Sequence, residues 1–330
     1  MRILEYSGEP REIGRGLGEE LKTELEDRIK RFLAAIDTAF GLDRERLSAQ
    51  AKEHFARLPS HFQEEIKGLA EGAGMEMGRI LEWCFADSSA ENRCTGVLCS
   101  SNGDVWIARN NDYVLPDAWD TVTVRVPVNR LASALFGMAG DIFSATGINE
   151  RRLWLHYNWV PRHEAPSASR PAMLPEVFLR EALETCSSLG EVERLLNSQN
   201  RESGMLLFAV AGETEQAAVF ECAPSMYRTE HLQGDFLCRT NHSRILNPAQ
   251  EADSGQTCAR YTRLCDLLDA AQFRDLPGDL IRLLADPQVE QESTVYSAVS
   301  CPAKGPLWFS GGTHRAASLG RWERVEWPWD

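Results

Sequence analysis

At residue 93 the chain changes character, and that change constrains the architecture more than any other feature. Upstream, Ile13, Leu17, Leu21, Leu25, Ile29 and Leu33 recur every four residues among Glu, Lys and Arg, which predicts a helix over 11–36. Pro10 stands at its start, and Gly14, Gly16 and Gly18 weaken its first turns, so regular helix is expected to begin later. Further helices are predicted over 44–57, over 60–73 with a C-cap signal at Gly72-Ala73-Gly74, and over 77–86 with Ile80, Leu81 and Trp83. The first ninety or so residues thus read as nearly all α. After the polar stretch Ser88-Ser89-Ala90-Glu91-Asn92-Arg93, strand-like runs follow at 94–100, 104–111, 120–127, 132–139, 142–148 and 152–159. A polar, Pro-containing loop (160–172) leads to helices at 174–187 and 189–197. Strands return at 205–212, 216–222, 225–230 and 235–240; helices at 256–271 and 277–285 precede closing strands at 294–300 and 306–310. Strand blocks separated by helix pairs imply helices layered over antiparallel sheets, an α+β protein.

Composition narrows the function classes. With 43% hydrophobic and 25% charged residues over 330 positions, the chain can bury a full core. A formal charge of −14 argues against nucleic acid or an anionic membrane as partner. The start, Met1-Arg2-Ile3-Leu4-Glu5, lacks the apolar core of about 7–15 residues of a signal peptide. No apolar run approaches the roughly 20 residues that span a bilayer. Nine scattered cysteines without a CxxC favour a reducing cytoplasm over a disulfide framework or zinc site. No metal, nucleotide or flavin motif is present, so no cofactor is expected.

The segment CTGVLCSSNGDVWIARNNDY, residues 94–113, concentrates the chemistry. Two short strands joined by Ser-Ser-Asn-Gly make a hairpin, which brings Arg109 and Asp112 back toward Cys94. The bland alternatives are a buried cysteine and an Arg–Asp surface pair at a strand end. The polar stretch before Cys94 suggests another reading, because exposed polar segments are where chains are cut. Cleavage of the Arg93–Cys94 bond would leave Cys94 with an α-amino group, whose ordinary pKa of about 7.7–8.0 suits a general base. That amine would activate the thiol without a histidine, Asp112 would orient it, and Arg109 would stabilise the thiolate.

Residues 94–113 resemble the segment that opens the mature catalytic chain of the acyl-coenzyme A:6-aminopenicillanate acyltransferase family of N-terminal-nucleophile hydrolases. Cys94-Thr95 and Arg109-Asn110-Asn111-Asp112-Tyr113 fit its Cys-Thr and Arg-Asn-x-Asp-aromatic pattern. Four further segments match in order: Gly8-Glu9-Pro10-Arg11-Glu12-Ile13-Gly14; Glu64 to Gly74; Gly147-Ile148-Asn149-Glu150 with the strand reaching Asn158; and Arg239-Thr240-Asn241-His242 with Thr257 to Leu264. Two positions depart from the pattern: Arg93 stands where many members have Gly before the nucleophile, and Arg152-Leu153 replaces a Gly-Leu.

The resemblance implies a four-layer α/β/β/α fold and self-catalysed cleavage at Arg93–Cys94. The products would be a helical 1–93 chain and a catalytic 94–330 chain, associated as one globular unit. It makes Cys94 both nucleophile and base, with Arg109 and Asp112 orienting it. Asn241 would donate its side-chain amide to the oxyanion, Asn158 a main-chain N–H, and Arg260 would hold the charge network. The expected substrate is a small acylated amine or linear amide, cleaved through a thioester. Transfer of the acyl group to an amine, and a non-catalytic binding protein that kept the fold, remain alternatives. Self-association into a homo-oligomer is left open. Trp119, Trp154, Trp159 and Trp308 read as acyl-pocket candidates or, more simply, as core.

Overall fold

The computed structural model describes residues 1–86, 93–160, 172–246 and 255–329. Most of the stretch before Arg93, and all but the ends of the loop expected over 160–172, lie outside them.

The N-terminal part opens on a strand, β1 (Arg2–Gly8), and continues as five helices: α1 (Pro10–Leu21), α2 (Leu25–Phe40), α3 (Arg44–Arg57), α4 (Ser60–Ala73) and α5 (Met77–Phe85). Three expectations are corrected here. The segment is not wholly α, since β1 pairs parallel with a strand of the second part. The single helix over 11–36 is two helices. A repeat of four advances ~40° beyond a full turn at each step, so six residues spaced this way cannot share one face of a straight helix. The break after Leu21 resets the stripe, and all six residues are buried. Nor do the glycines delay α1, which starts at Pro10 behind a capping box between Glu9 and Glu12.

Those glycines serve close packing. A Cβ at Gly14 would lie 1.9 Å from the Glu65 carbonyl oxygen, and one at Gly68 would lie 2.1 Å from that of Arg11. Backbone meets backbone where α1 crosses α4.

The second part comprises β2 (Arg93–Ser101), β3 (Asp104–Asp112), β4 (Thr121–Pro127), β5 (Ser133–Gly137), β6 (Thr146–Asn149), β7 (Leu153–Val160), β8 (Ala172–Met173), α6 (Pro175–Thr185), α7 (Leu189–Ser198), β9 (Asn200–Arg201), β10 (Gly204–Ala211), β11 (Gln216–Cys222), β12 (Tyr227–His231) and β13 (Phe236–Arg239). It closes with α8 (Gly255–Ala270), α9 (Gly278–Leu284), β14 (Thr294–Ser300), β15 (Leu307–Gly311), α10 (Ala316–Leu319) and β16 (Glu323–Val325). One sheet runs β1-β4-β5-β6-β7-β10-β11-β12 and the other β13-β2-β3-β14-β15-β16, with β8 and β9 as a separate pair. Except for β1 with β4, pairing within the two large sheets is antiparallel.

Period-two alternation sorts the strands into layers. On β10, Leu206, Phe208 and Val210 face the other sheet, while Met205, Leu207 and Ala209 pack with Phe178, Leu183 and Val192 of α6 and α7. On β2, Leu98 joins the inter-sheet core, while Val97 and Cys99 pack with Leu264 and Leu284 of α8 and α9. The order is helix, sheet, sheet, helix, and the N-terminal helices share one continuous apolar cluster with the inter-sheet core.

Candidate active site

Register fixes who meets Cys94. In the β2–β3 hairpin Cys94 stands opposite Asn111, Arg93 opposite Asp112 and Gly96 opposite Arg109. Alternation puts Cys94, Gly96, Arg109 and Asn111 on the inter-sheet face, and Asn110 and Asp112 on the face toward α8 and α9. On the other side of β2, β13 pairs Arg239 with Gly96. Carrying that register two residues further brings Asn241 opposite Cys94. There the Asn241 side chain takes the place of a strand: the Cys94 main-chain N–H donates to its Oδ1 at 2.7 Å. Gly96 is small for a reason, because a Cβ there would lie 2.5 Å from Phe208 and 2.6 Å from His156.

The sulfur has two side-chain partners. Arg109 Nη2 lies 3.3 Å from Cys94 Sγ, and Sγ lies 3.6 Å from Asn111 Oδ1. The same Nη2 donates to Asn111 Oδ1 at 2.5 Å and Nη1 to the Ala145 carbonyl at 2.5 Å, so the guanidinium is fixed from the opposite sheet. Around the nitrogen, Arg260 bridges two residues: Nη2 donates to Asn241 Oδ1 at 2.9 Å and Nη1 to Asp112 Oδ2 at 2.9 Å. Thr294 donates to the other Asp112 oxygen at 2.6 Å. Asn241 Nδ2 donates to the Trp159 carbonyl at 2.8 Å. All these groups are buried except Ala145 and Trp159; Cys94 itself is 1% exposed, while Arg93 just before it is exposed and donates to Gln256.

Burial pushes the Cys94 thiol above its ordinary range, against the pull of the Arg109 charge, so in the intact chain it is protonated. Burial likewise pushes Asp112 up to about 6, although Arg260 and Thr294 favour its charged form. His156 is held well below its ordinary value by burial and by Arg109. It is a neutral ring stacked on Phe208, with Nδ1 accepting from Trp154 at 3.1 Å.

The fold gathers Arg93, Cys94, Arg109, Asp112, Asn158, Asn241 and Arg260 in one place, with two of them, Asp112 and Asn158, making other contacts than expected. Asp112 does not accept from the Cys94 nitrogen; its side chain lies on the far face and reaches Asn241 through Arg260. Asn241 adds a contact not foreseen, its oxygen accepting from the Cys94 nitrogen. Asn158 turns its main-chain N–H away: Tyr157 donates to the Ala145 carbonyl, so alternation directs the Asn158 N–H to its partner Leu206. Its side chain instead donates to the Arg239 and Thr240 carbonyls at 3.2 and 2.8 Å, holding the approach to Asn241. Sequence reasoning missed Asn111 and Thr294. Asn111 was legible in the alternation, being two residues from Arg109 on one strand; Thr294 is 182 residues from Asp112 and carried no local signal. Of the four tryptophans, Trp119 and Trp154 are buried in the core and Trp308 stacks on Trp106; Trp159 alone touches the site. Among the described residues, no group of three or more His, Cys, Asp or Glu is placed to hold a metal ion.

Two stacked sheets between helix layers, with a thiol heading a central strand, define the four-layer N-terminal-nucleophile hydrolase fold. The model of the acyl-coenzyme A:6-aminopenicillanic acid acyl-transferase family matches residues 99–311, more than half of the chain, a range that includes Arg109, Asp112, Asn158, Asn241 and Arg260. The chain belongs to that family. Among solved structures it is similar to a mutant of the conjugated bile acid hydrolase from Clostridium perfringens, at 15% identity and TM-score 0.51 over 71% of this chain and 92% of that one. Penicillin V acylase from Agrobacterium tumefaciens matches at 15% identity and TM-score 0.49 over 71% and 86% of the two chains. The Caenorhabditis elegans ortholog of N-acylethanolamine-hydrolyzing acid amidase matches at 16% and TM-score 0.48 over 64% and 93%. No curated protein matches. Among the described residues no helix is long and apolar enough to cross a membrane.

Proposed function

We propose that this chain is an N-terminal-cysteine amidohydrolase that matures by breaking its own Arg93–Cys94 bond. The observation that carries the reading is the environment of one nitrogen. The Cys94 main-chain nitrogen, which cleavage would turn into an α-amine, is held by the Asn241 side chain within the reach of Arg260, while its own sulfur faces Arg109. In maturation Cys94 Sγ attacks the Arg93 carbonyl, its proton passes to the Cys94 nitrogen as the C–N bond breaks, and water hydrolyses the resulting thioester. Arg93 leaves as a carboxylate, and Cys94 keeps both thiol and amine.

In turnover the amine takes the thiol proton and the thiolate, stabilised by Arg109, attacks the substrate amide carbonyl. The amine then returns the proton to the leaving nitrogen, and water, activated by the same amine, releases the acyl group as an acid. Asn241 Oδ1 orients the amine, and Arg260 and Asp112 hold Asn241. Asn241 Nδ2, through the proton it does not give the Trp159 carbonyl, and the Trp159 main-chain N–H would donate to the oxyanion. The substrate class is an acyl group joined to an amine by a linear amide. The 1–93 and 94–330 chains remain one unit.

The test is to incubate the protein with a panel of N-acyl amines and follow the mass of the 94–330 chain. A transient acyl thioester on Cys94, absent from Cys94→Ser, is expected; amide turnover undiminished in that variant overturns the reading. Adding a primary amine separates the two acyl fates, since a transferase yields a new amide where a hydrolase yields the acid.

A further inference from the structure

We propose that Cys238 and Cys265 form a redox modification site, a thiol pair that a hydroperoxide converts into a disulfide joining β13 to α8. Their sulfurs lie 3.7 Å apart with both thiols free. A disulfide needs about 2.05 Å, so closing the pair is a movement of side chains more than of elements. The two positions differ in a way that assigns their order of reaction. Cys238 is buried, whereas Cys265 is half-buried on α8 and is the sulfur an oxidant reaches first.

The surroundings favour a thiolate at Cys265. Tyr261 stands one turn earlier on α8, and the Arg244 guanidinium sits 4.7 Å over its ring. The neighbouring Cys238 thiol does most to lower the Cys265 thiol; burial and the Asp269 charge oppose it, and Tyr261 and Arg244 add to it. Elsewhere burial works alone or nearly so, pushing Cys99 and Cys222 up to about 12. A low thiol beside a second sulfur is the arrangement of a reactive cysteine with its resolving partner.

The chemistry balances with one peroxide. Cys265 thiolate attacks a peroxide oxygen and the O–O bond breaks; the leaving oxygen takes a proton to depart as water, or as an alcohol from an organic hydroperoxide, and Cys265 becomes a sulfenic acid. Cys238 sulfur then attacks the Cys265 sulfur, the S–O bond breaks, and a second water leaves with the Cys238 proton. Two thiols are oxidised and one peroxide is reduced. The bond would join the strand that runs into Asn241 to the helix that carries Thr257 and Arg260, both of which hold Asn241.

This inference does not depend on the proposed function, and its test avoids Cys94. Full-length Cys94→Ala protein is exposed to hydrogen peroxide, alkylated, digested and mapped by mass spectrometry. The expected product is a 238–265 cross-linked peptide pair lighter by two hydrogens and reversed by dithiothreitol, with Cys265→Ser giving none and Cys238→Ser stopping at oxidised Cys265 without a cross-link. Cys265 remaining alkylatable, oxidising without engaging Cys238 in the Cys94→Ala protein, or pairing with another cysteine overturns the proposal.

Discussion

At Asn241 a single carboxamide oxygen meets both the Cys94 nitrogen and Arg260. Replacing Asn241 with Ala removes the acceptor and, with it, the proposed oxyanion donor. A loss of about 10²–10³ in kcat is expected, the scale of removing one oxyanion donor, measured as amide turnover of the matured protein. Asp112 supplies a pH test. Its carboxylate, pushed up to about 6, must be ionised to hold Arg260, so activity is expected to fall as pH drops through about 6. Its effect on stability has the opposite sign. A carboxyl whose folded value exceeds its ordinary 3.8 contributes most below that value and loses the contribution as pH rises through about 6. In Asp112→Asn the acid limb tied to this group disappears, and thermal midpoints at about pH 4.5 and 7 lose that slope. At this scale the sequence was informative but incomplete. Arg109 and Asp112 were legible as a pair near Cys94, yet a strand turns neighbouring residues to opposite faces, so Asn111 lies beside the sulfur and Asp112 acts through Arg260.

Packing of α1 on α4 makes a sharp prediction about glycines. Gly68→Ala places a Cβ against the Arg11 carbonyl and is expected to cost about 1–3 kcal/mol or more, the scale of overpacking. Gly78 in α5 has nothing within 4 Å of its missing Cβ, so Gly78→Ala is expected to stabilise by about 0.5–1 kcal/mol. Denaturant midpoints of the two variants should move in opposite directions. Buried Glu65 on α4 is a second device: it accepts from Arg125 at 2.8 Å and from Arg180, which itself donates to Glu184 at 2.8 Å. Burial opposes its charge, but Arg180 and Arg125 prevail and hold Glu65 below the usual carboxylate range, so its contribution is lost as pH falls through that lowered value. Glu65→Ala takes from buried Arg125 the carboxylate it pairs with, leaves Arg180 only Glu184, and is expected to cost about 3–5 kcal/mol, read from unfolding curves. Helices and strands with strong local period were legible. β1 was not, because its pairing with β4 joins residues more than a hundred positions apart and only Leu4 among its residues is buried.

For the whole molecule, one fold holds both sides of the bond proposed to be cut. β1 lies in the eight-stranded sheet, Glu65 is clasped by arginines from beyond Cys94, and the N-terminal helices share the inter-sheet core. After cleavage at Arg93 the two chains are therefore expected to elute together in native buffer and separate only in denaturant. The layered α+β architecture was legible in the strand blocks and helix pairs, whereas the convergence of Cys94, Asn241 and Arg260 was legible only through the family resemblance, because no local pattern reveals the register of β13 against β2. The most direct measurement is denaturing mass spectrometry of the purified protein beside its Cys94→Ala variant. Separate 1–93 and 94–330 chains are expected from the former and a single 37.0 kDa chain from the latter. A full-length chain alone from the unmutated protein, or cleavage that persists in Cys94→Ala, contradicts that expectation.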